Sequence, residues 1–95
     1  MKKNITEKLW CAACSGNIKT LKNHYENGGE KGLRVQSFGR THSLIMGAFR
    51  NNLFDTVDYL LSVGETVTPE EKKEIETELR RYETLLKKLG GQSYV

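Results

Sequence analysis

The sequence has few of the residues that build disulfide scaffolds or membrane spans. Among 95 residues there are one Pro, one Trp and two Cys, and aromatic residues make up 8%. Two cysteines are too few for a disulfide scaffold, which favours a reducing compartment. No apolar run approaches the roughly 20 residues that span a bilayer. The polar residues Asn4, Thr6, Glu7 and Lys8 stand where a secretory leader has its apolar core. We therefore expect a cytoplasmic protein.

The composition is that of one small globular domain covering residues 1–95. Apolar residues make up 37% and charged residues 28%, and the formal net charge is +3. The charge is unevenly spread, because residues 1–40 contain eight Lys or Arg against three Glu. A basic N-terminal half is compatible with an acidic partner, so nucleic-acid binding is the alternative function. No nucleic-acid module pattern accompanies these charges, and a solvated lysine surface explains them more simply.

The residue types that carry catalysis or metal binding occur without a matching arrangement. Cys11 and Cys14 have C-x-x-C spacing, but they lie inside a predicted helix and not at its N-terminus, where the thiol pKa would fall. A zinc site would need two more ligands, and the only histidines, His24 and His42, are 18 residues apart. We expect structural thiols, no metal, no cofactor and no enzymatic activity.

Two segments about 35 residues apart repeat one order of features. Each has an apolar stretch with two small residues at its centre, then Gly or Asn, then a second stretch with apolar residues at helical spacing, and then Gly. Small residues allow close approach of helices, and Gly or Asn suits the left-handed conformation that ends a helix. Each segment is therefore predicted to be a helical hairpin.

The repeats are separated by a glycine-rich segment and followed by a longer helix. Alternating Leu33 and Val35 among glycines predict an extended loop or a short β-turn finger, with Thr41 or Ser43 as the cap of the next helix. In the last section Thr68 is a good N-cap, Pro69 suits the first helical position, and Glu71 completes a capping box. The predicted helix covers residues 69–89 and is followed by a tail, residues 90–95.

These two segments resemble the ankyrin repeat. In the first, residues 9–29, the matching positions are Leu9, Ala12, Ala13, Gly16, Asn17, Leu21 and Gly28. In the second, residues 39–67, they are Gly39, Thr41, Leu44, Gly47, Ala48, Asn51, Val57, Leu60, Leu61, Gly64 and Val67. The first segment departs where His24 and Tyr25 replace a Leu pair. The second has His42 for the family Pro, and one extra residue near Ser43 and another near Phe54.

The resemblance implies an all-α fold of stacked ankyrin-like hairpins over residues 5–67, closed by a C-terminal capping helix. About three repeats are normally needed for a stable stack, so two require help. The last helix has Ile75, Leu79, Tyr82, Leu86 and Leu89 at spacings of four and three. This narrow stripe favours docking on the second repeat as a cap, and the alternative is a homodimer through a coiled-coil seam.

The resemblance also implies a function, since ankyrin repeats bind proteins through their finger loops and first helices. A stand-alone interaction module is therefore expected, acting as an inhibitor or adaptor of a bacterial or phage-related protein. Phe49 and Arg50 are the best candidates, because aromatic and guanidinium groups are enriched at binding hot spots. The implied face contains Cys14, Ser15, Gln36, Ser37, Phe38, Arg40, His42, Phe49 and Arg50. The competing interpretation of Phe49 is local packing against Phe54 or Phe38.

Overall fold

The computed structural model describes residues 4–37 and 39–90. Within these residues the chain forms five α-helices and one two-stranded sheet. In chain order the elements are α1 (Ile5–Ser15), α2 (Ile18–Glu26), β1 (Arg34–Ser37), β2 (Arg40–Ser43), α3 (Leu44–Arg50), α4 (Phe54–Ser62) and α5 (Pro69–Gly90).

The first helical hairpin, α1 and α2, is defined by its caps. The Asn4 side chain accepts a hydrogen bond from the Glu7 N–H at 2.8 Å and begins α1. Gly16 ends α1 in the left-handed conformation with φ 75°, which a residue without Cβ adopts at low cost. Asn17 follows at once and caps α2 by accepting from the Thr20 N–H at 3.2 Å. Gly16 and Asn17 therefore turn the chain from α1 into α2.

The second hairpin, α3 and α4, uses different residues for the same turn. Ser43 caps α3 by accepting from the Met46 N–H at 3.3 Å, so Ser43 and not Thr41 is the cap. Asn52 takes the left-handed position with φ 59°, in place of a glycine. Leu53 then precedes α4 without a side-chain capping bond. The extra residues of the second segment therefore leave its helix–turn–helix form unchanged.

The prediction of an all-α fold is wrong, because β1 and β2 form an antiparallel hairpin between the two helical hairpins. Arg34 pairs with Ser43, and Ser37 pairs with Arg40. The sequence prediction allowed a finger here and still gave a purely helical class. Strand pairing depends on cross-strand hydrogen bonds that neither four-residue segment reveals by itself. The finger is therefore an ordered β-hairpin that leads directly into α3.

The core lies where α1 packs on α3, with α2 and α4 behind them. Gly47 allows this close approach, because a Cβ added there would lie 3.0 Å from the Cys14 Sγ and 3.0 Å from the Trp10 ring. The small-residue pair of the second repeat thus has the predicted role. The largest fully buried side chains are Leu9, Leu21, Leu44, Ile45, Met46 and Leu60.

Helix α5 contacts this core through polar residues at its start and not through its apolar stripe. Thr68 and Glu71 form the predicted capping box, with N–H to oxygen distances of 2.9 and 3.1 Å. Glu71 is only 5% exposed, whereas Leu79 is 48% and Leu86 is 65% exposed. The expectation that the stripe docks on the second repeat is therefore wrong for its distal half. The tail prediction, apart from Gly90, falls outside the described residues.

Candidate interaction surface

Three of the predicted partner-binding residues lie together at one cleft. Arg40 and His42 come from β2 and Arg50 from the end of α3, and Glu70 and Glu74 of α5 line the opposite side. The β-hairpin leads without a loop into α3, so strand and helix share one rigid backbone path. The cleft is small and carries both signs of charge. We call Arg40, His42 and Arg50 the basic cluster.

Arg50 is held by two partners. Its Nε and one terminal nitrogen donate to the two carboxylate oxygens of Glu74, each at 3.0 Å, in a bidentate pair. Its other terminal nitrogen lies 3.1 Å from the His42 Nδ1. The hydrogen bond from Arg50 lowers the pKa of Glu74 and raises the pKa of Arg50. Both side chains remain over a third exposed, so the guanidinium is positioned but still accessible.

Trp10 borders the basic cluster and extends it with an aromatic ring. The Trp10 and His42 ring centroids are 6.0 Å apart at 45°. Trp10 also packs against the bare Gly47 backbone and is only partly buried. The sequence prediction omitted Trp10 from the partner-binding face. Trp10 is the only tryptophan of the sequence and lies close to the small residues Ala12 and Ala13. These two features could have indicated it as part of the partner-binding face.

Glu71 lines the same cleft and contacts the β-hairpin. Its carboxylate accepts from the Ser43 N–H at 2.9 Å and from the Ser43 hydroxyl at 3.1 Å. Arg34 of β1 lies 3.4 Å from the same carboxylate. One buried acid thus ties both strands of the finger to α5. The capping box indicated Glu71 as a helix start, but no sequence signal indicated this second role.

The other predicted residues do not join the cluster. Phe49 packs edge-on against Phe54 with centroids 6.2 Å apart, as the local-packing interpretation states. The Ser15 hydroxyl donates to the Cys11 carbonyl at 2.8 Å, and Ser15 lines a separate groove beside Leu53 and Asn52. Phe38 lies outside the described residues. Gln36 remains on the finger, where its amide donates to the Thr41 hydroxyl at 3.0 Å.

The two thiols differ in exposure. Cys11 is exposed on α1, whereas Cys14 is half-buried beside Gly47. Burial, followed by the nearby Cys11, raises the pKa of the Cys14 thiol against the opposite effect of Arg50. In the part of the chain that the structure describes, no three His, Cys, Asp or Glu side chains are grouped so as to hold a metal ion. None of the helices in that part is both long and apolar enough to span a membrane.

Comparisons with known proteins identify no relative of this chain. No protein-family model matches the chain, and searches of curated proteins and of solved structures find no significant match.

Proposed function

We propose that this chain is an ankyrin-like interaction module that binds a protein through the basic cluster and Trp10. The observation that carries the proposal is the Arg50–Glu74 pair, with 3.0 Å contacts that fix the guanidinium beside His42 on an exposed surface. A fixed side chain loses less conformational entropy on binding than a mobile one. Two helical hairpins joined through a β-hairpin finger support the likeness to ankyrin repeats.

The chemistry of the surface indicates what kind of segment it accepts. Arg40 is exposed, and the Trp10 indole combines an apolar ring with an N–H donor. Arg and Trp are the residue types most enriched at hot spots of protein interfaces. A partner segment with an uncharged hydrogen-bond acceptor, such as a backbone carbonyl or a side-chain amide oxygen, next to an aromatic or aliphatic side chain would match both groups. Such a module acts by covering or by bridging its partner, as an inhibitor or an adaptor.

Nucleic-acid binding is the less favoured function. Arg34, one of the basic residues of the N-terminal half, is directed at Glu71 and at the Thr66 carbonyl and hydroxyl. Glu70 and Glu74 also stand beside Arg40 and Arg50, and acids at that position repel phosphate. The basic cluster therefore suits a protein with mixed chemistry better than a polyanion.

The test compares proteins captured by the immobilised chain and by two variants with the same charge change. Arg40→Ala with Arg50→Ala alters the proposed surface, and Lys19→Ala with Lys22→Ala alters exposed positions of α2. We expect a specific protein to be captured by the wild type and the α2 variant and lost with the surface variant. Circular dichroism and thermal melting establish that all three proteins are folded.

Three outcomes would contradict the proposal. The first is loss of the partner with the α2 variant, and the second is unchanged capture with both variants. The third is loss of capture after nuclease treatment of the lysate, with binding to a DNA or RNA oligonucleotide that falls steeply with salt, which would establish the nucleic-acid function instead.

A further inference from the structure

The distal half of α5 carries an apolar stripe that no other described part of the chain covers. Beyond residue 78 the helix extends for about 18 Å at 1.5 Å per residue. The molecule is accordingly elongated, with extents of 54 × 31 × 25 Å. Large apolar side chains that are 45% to 65% exposed follow one side of this segment, namely Leu79, Tyr82, Leu85, Leu86 and Leu89. We call these five residues the α5 stripe.

We propose that the α5 stripe pairs with the same stripe of a second copy of this chain, with the two helices antiparallel. The spacing of Leu79, Tyr82, Leu86 and Leu89 alternates between three and four residues, which is the spacing of a two-helix seam. In the antiparallel arrangement Leu79 lies opposite Leu89 of the second copy, and Tyr82 lies opposite Leu86 of the second copy. This proposal concerns a different face from the basic cluster and does not depend on the proposed function.

The position of the core relative to the stripe sets the direction of pairing. Glu71, which is buried against Ser43, and Leu89 are 18 residues apart, or about five helical turns, so they point to the same side of α5. The core therefore lies on the stripe side of the helix. A parallel second copy would place its own core in the same space. An antiparallel copy places the two cores at opposite ends of the helix pair.

The area of the stripe is sufficient for a weak dimer. If each of the five side chains loses roughly 80–100 Å² on pairing, two copies bury roughly 800–1,000 Å², which is below the size of stable specific interfaces and in the range of weak, transient ones. Because association also costs translational and rotational freedom, we expect a dissociation constant on the order of 10–100 μM.

Sedimentation equilibrium of the full chain between about 5 and 500 μM tests the pairing. We expect the average mass to rise from monomer towards dimer over this range. Leu86→Glu should raise the dissociation constant at least about tenfold, because it places a charge in the seam. The side chain is 65% exposed in the single chain, so the variant should retain its melting temperature. The matched control is Thr84→Glu, an equally charged change at an exposed position outside the stripe, and it should still dimerise.

Disulfide cross-linking tests the direction. In a background with Cys11→Ser and Cys14→Ser, a mixture of Leu79→Cys and Leu89→Cys chains should form a mixed disulfide, because antiparallel pairing places residue 79 opposite residue 89 of the second copy. Neither chain alone should cross-link efficiently with itself.

A monomer at all concentrations would overturn the proposal, as would equal effects of Leu86→Glu and Thr84→Glu. Cross-linking of Leu79→Cys chains with themselves, and not with Leu89→Cys chains, would overturn the antiparallel direction. If the wild type stayed monomeric while Leu86→Glu abolished capture of another protein, the stripe would belong to a foreign partner. The basic cluster is untouched by these variants, so failure here is distinguishable from failure of the proposed function.

Discussion

Glu71 accepts two hydrogen bonds from Ser43, one from the backbone N–H at 2.9 Å and one from the hydroxyl at 3.1 Å, although 28 positions separate them. The same carboxylate accepts from the Thr68 N–H at 2.9 Å. It thereby joins the start of α5, the end of β2 and the cap of α3 at one buried point.

Glu71→Ala should therefore destabilise the fold by about 2–3 kcal/mol, because it leaves the buried Ser43 N–H without an acceptor and removes a charged hydrogen-bond partner. In a domain of this size that loss lowers the melting temperature by about 10 °C or more. Urea unfolding monitored by circular dichroism measures the change in free energy.

The control is Glu70→Ala, which removes an exposed acid from the same turn and should stay within about 0.5 kcal/mol of the wild type. Equal effects of the two substitutions would mean that Glu71 acts only through the general charge at the helix N-terminus.

The contacts of the Glu71 carboxylate illustrate how far the sequence predicts the fold. The capping box of Thr68 and Glu71 depends on residues three apart, and the sequence predicted it. The contact with Ser43 depends on how α5 approaches the second hairpin, which no local pattern records. The sheet was missed for the same reason, since its stability comes from pairing between residues such as Arg34 and Ser43.

Tyr25 and Glu65 form a second long-range polar contact. The Tyr25 hydroxyl donates to one Glu65 oxygen at 2.5 Å, and the other oxygen accepts from the Gly32 N–H at 3.0 Å. Burial, and then the bond to Glu65, raise the pKa of Tyr25 far above its ordinary value. A raised folded-state pKa stabilises the protein fully below the unfolded value of about 10, and this contribution is lost as pH rises beyond it.

We therefore expect the free energy of unfolding to fall between about pH 9.5 and 11, and to fall less steeply in Tyr25→Phe. At pH 7 this variant should be less stable by about 1.5–3 kcal/mol, because it loses a hydrogen bond to a carboxylate. The matched control is Tyr82→Phe at an exposed position. Identical pH dependence of Tyr25→Phe and the wild type would contradict this assignment.

Gly47 is the point of closest approach between α1 and α3. Gly47→Ala would bring its new methyl group 3.0 Å from both the Cys14 Sγ and the Trp10 ring. Overpacking costs about 1–3 kcal/mol, and the better helix propensity of Ala offsets about 1 kcal/mol of it. We expect a net loss of about 1 kcal/mol in urea unfolding.

Part of that loss should disappear when Cys14→Ala removes one of the two contacts. Gly90→Ala provides the comparison, since a Cβ added there meets no atom within 4 Å. A stabilising effect of Gly47→Ala would show that the two helices have room to separate.

The basic cluster was only partly predictable. Arg40, His42 and Arg50 were predicted together because the resemblance to ankyrin repeats, which stays a prediction, implies which positions face outwards. Glu74, which orients Arg50, is 24 positions further along the chain, and no local pattern in the sequence indicated this contact. Phe49 was assigned to the surface from its family position, but its packing on Phe54 depends on the turn between α3 and α4.

The last prediction concerns the Arg50–Glu74 pair and its dependence on pH. Because Arg50 lowers the pKa of Glu74 in the folded state, the pair stabilises the protein above the unfolded value of about 4.3, and this contribution is lost as pH falls through the lowered folded value. Both groups are over a third exposed, so screening limits the contribution at pH 7 to less than about 1 kcal/mol. Glu74→Gln should therefore be slightly less stable than the wild type at pH 7, and this difference should shrink progressively as the pH falls below about 4.3, with urea unfolding as the measurement.

The comparison variant for this prediction is Glu76→Gln, an exposed change on the same helix, and its difference from the wild type should vary less with pH. Added salt should reduce the Glu74→Gln effect at pH 7, because exposed ion pairs are screened. A stability difference that persisted unchanged at pH 3 would mean that Glu74 acts through packing and not through its charge. In that case the protonated carboxyl of Glu74 would hold the guanidinium beside His42 as well as the carboxylate does.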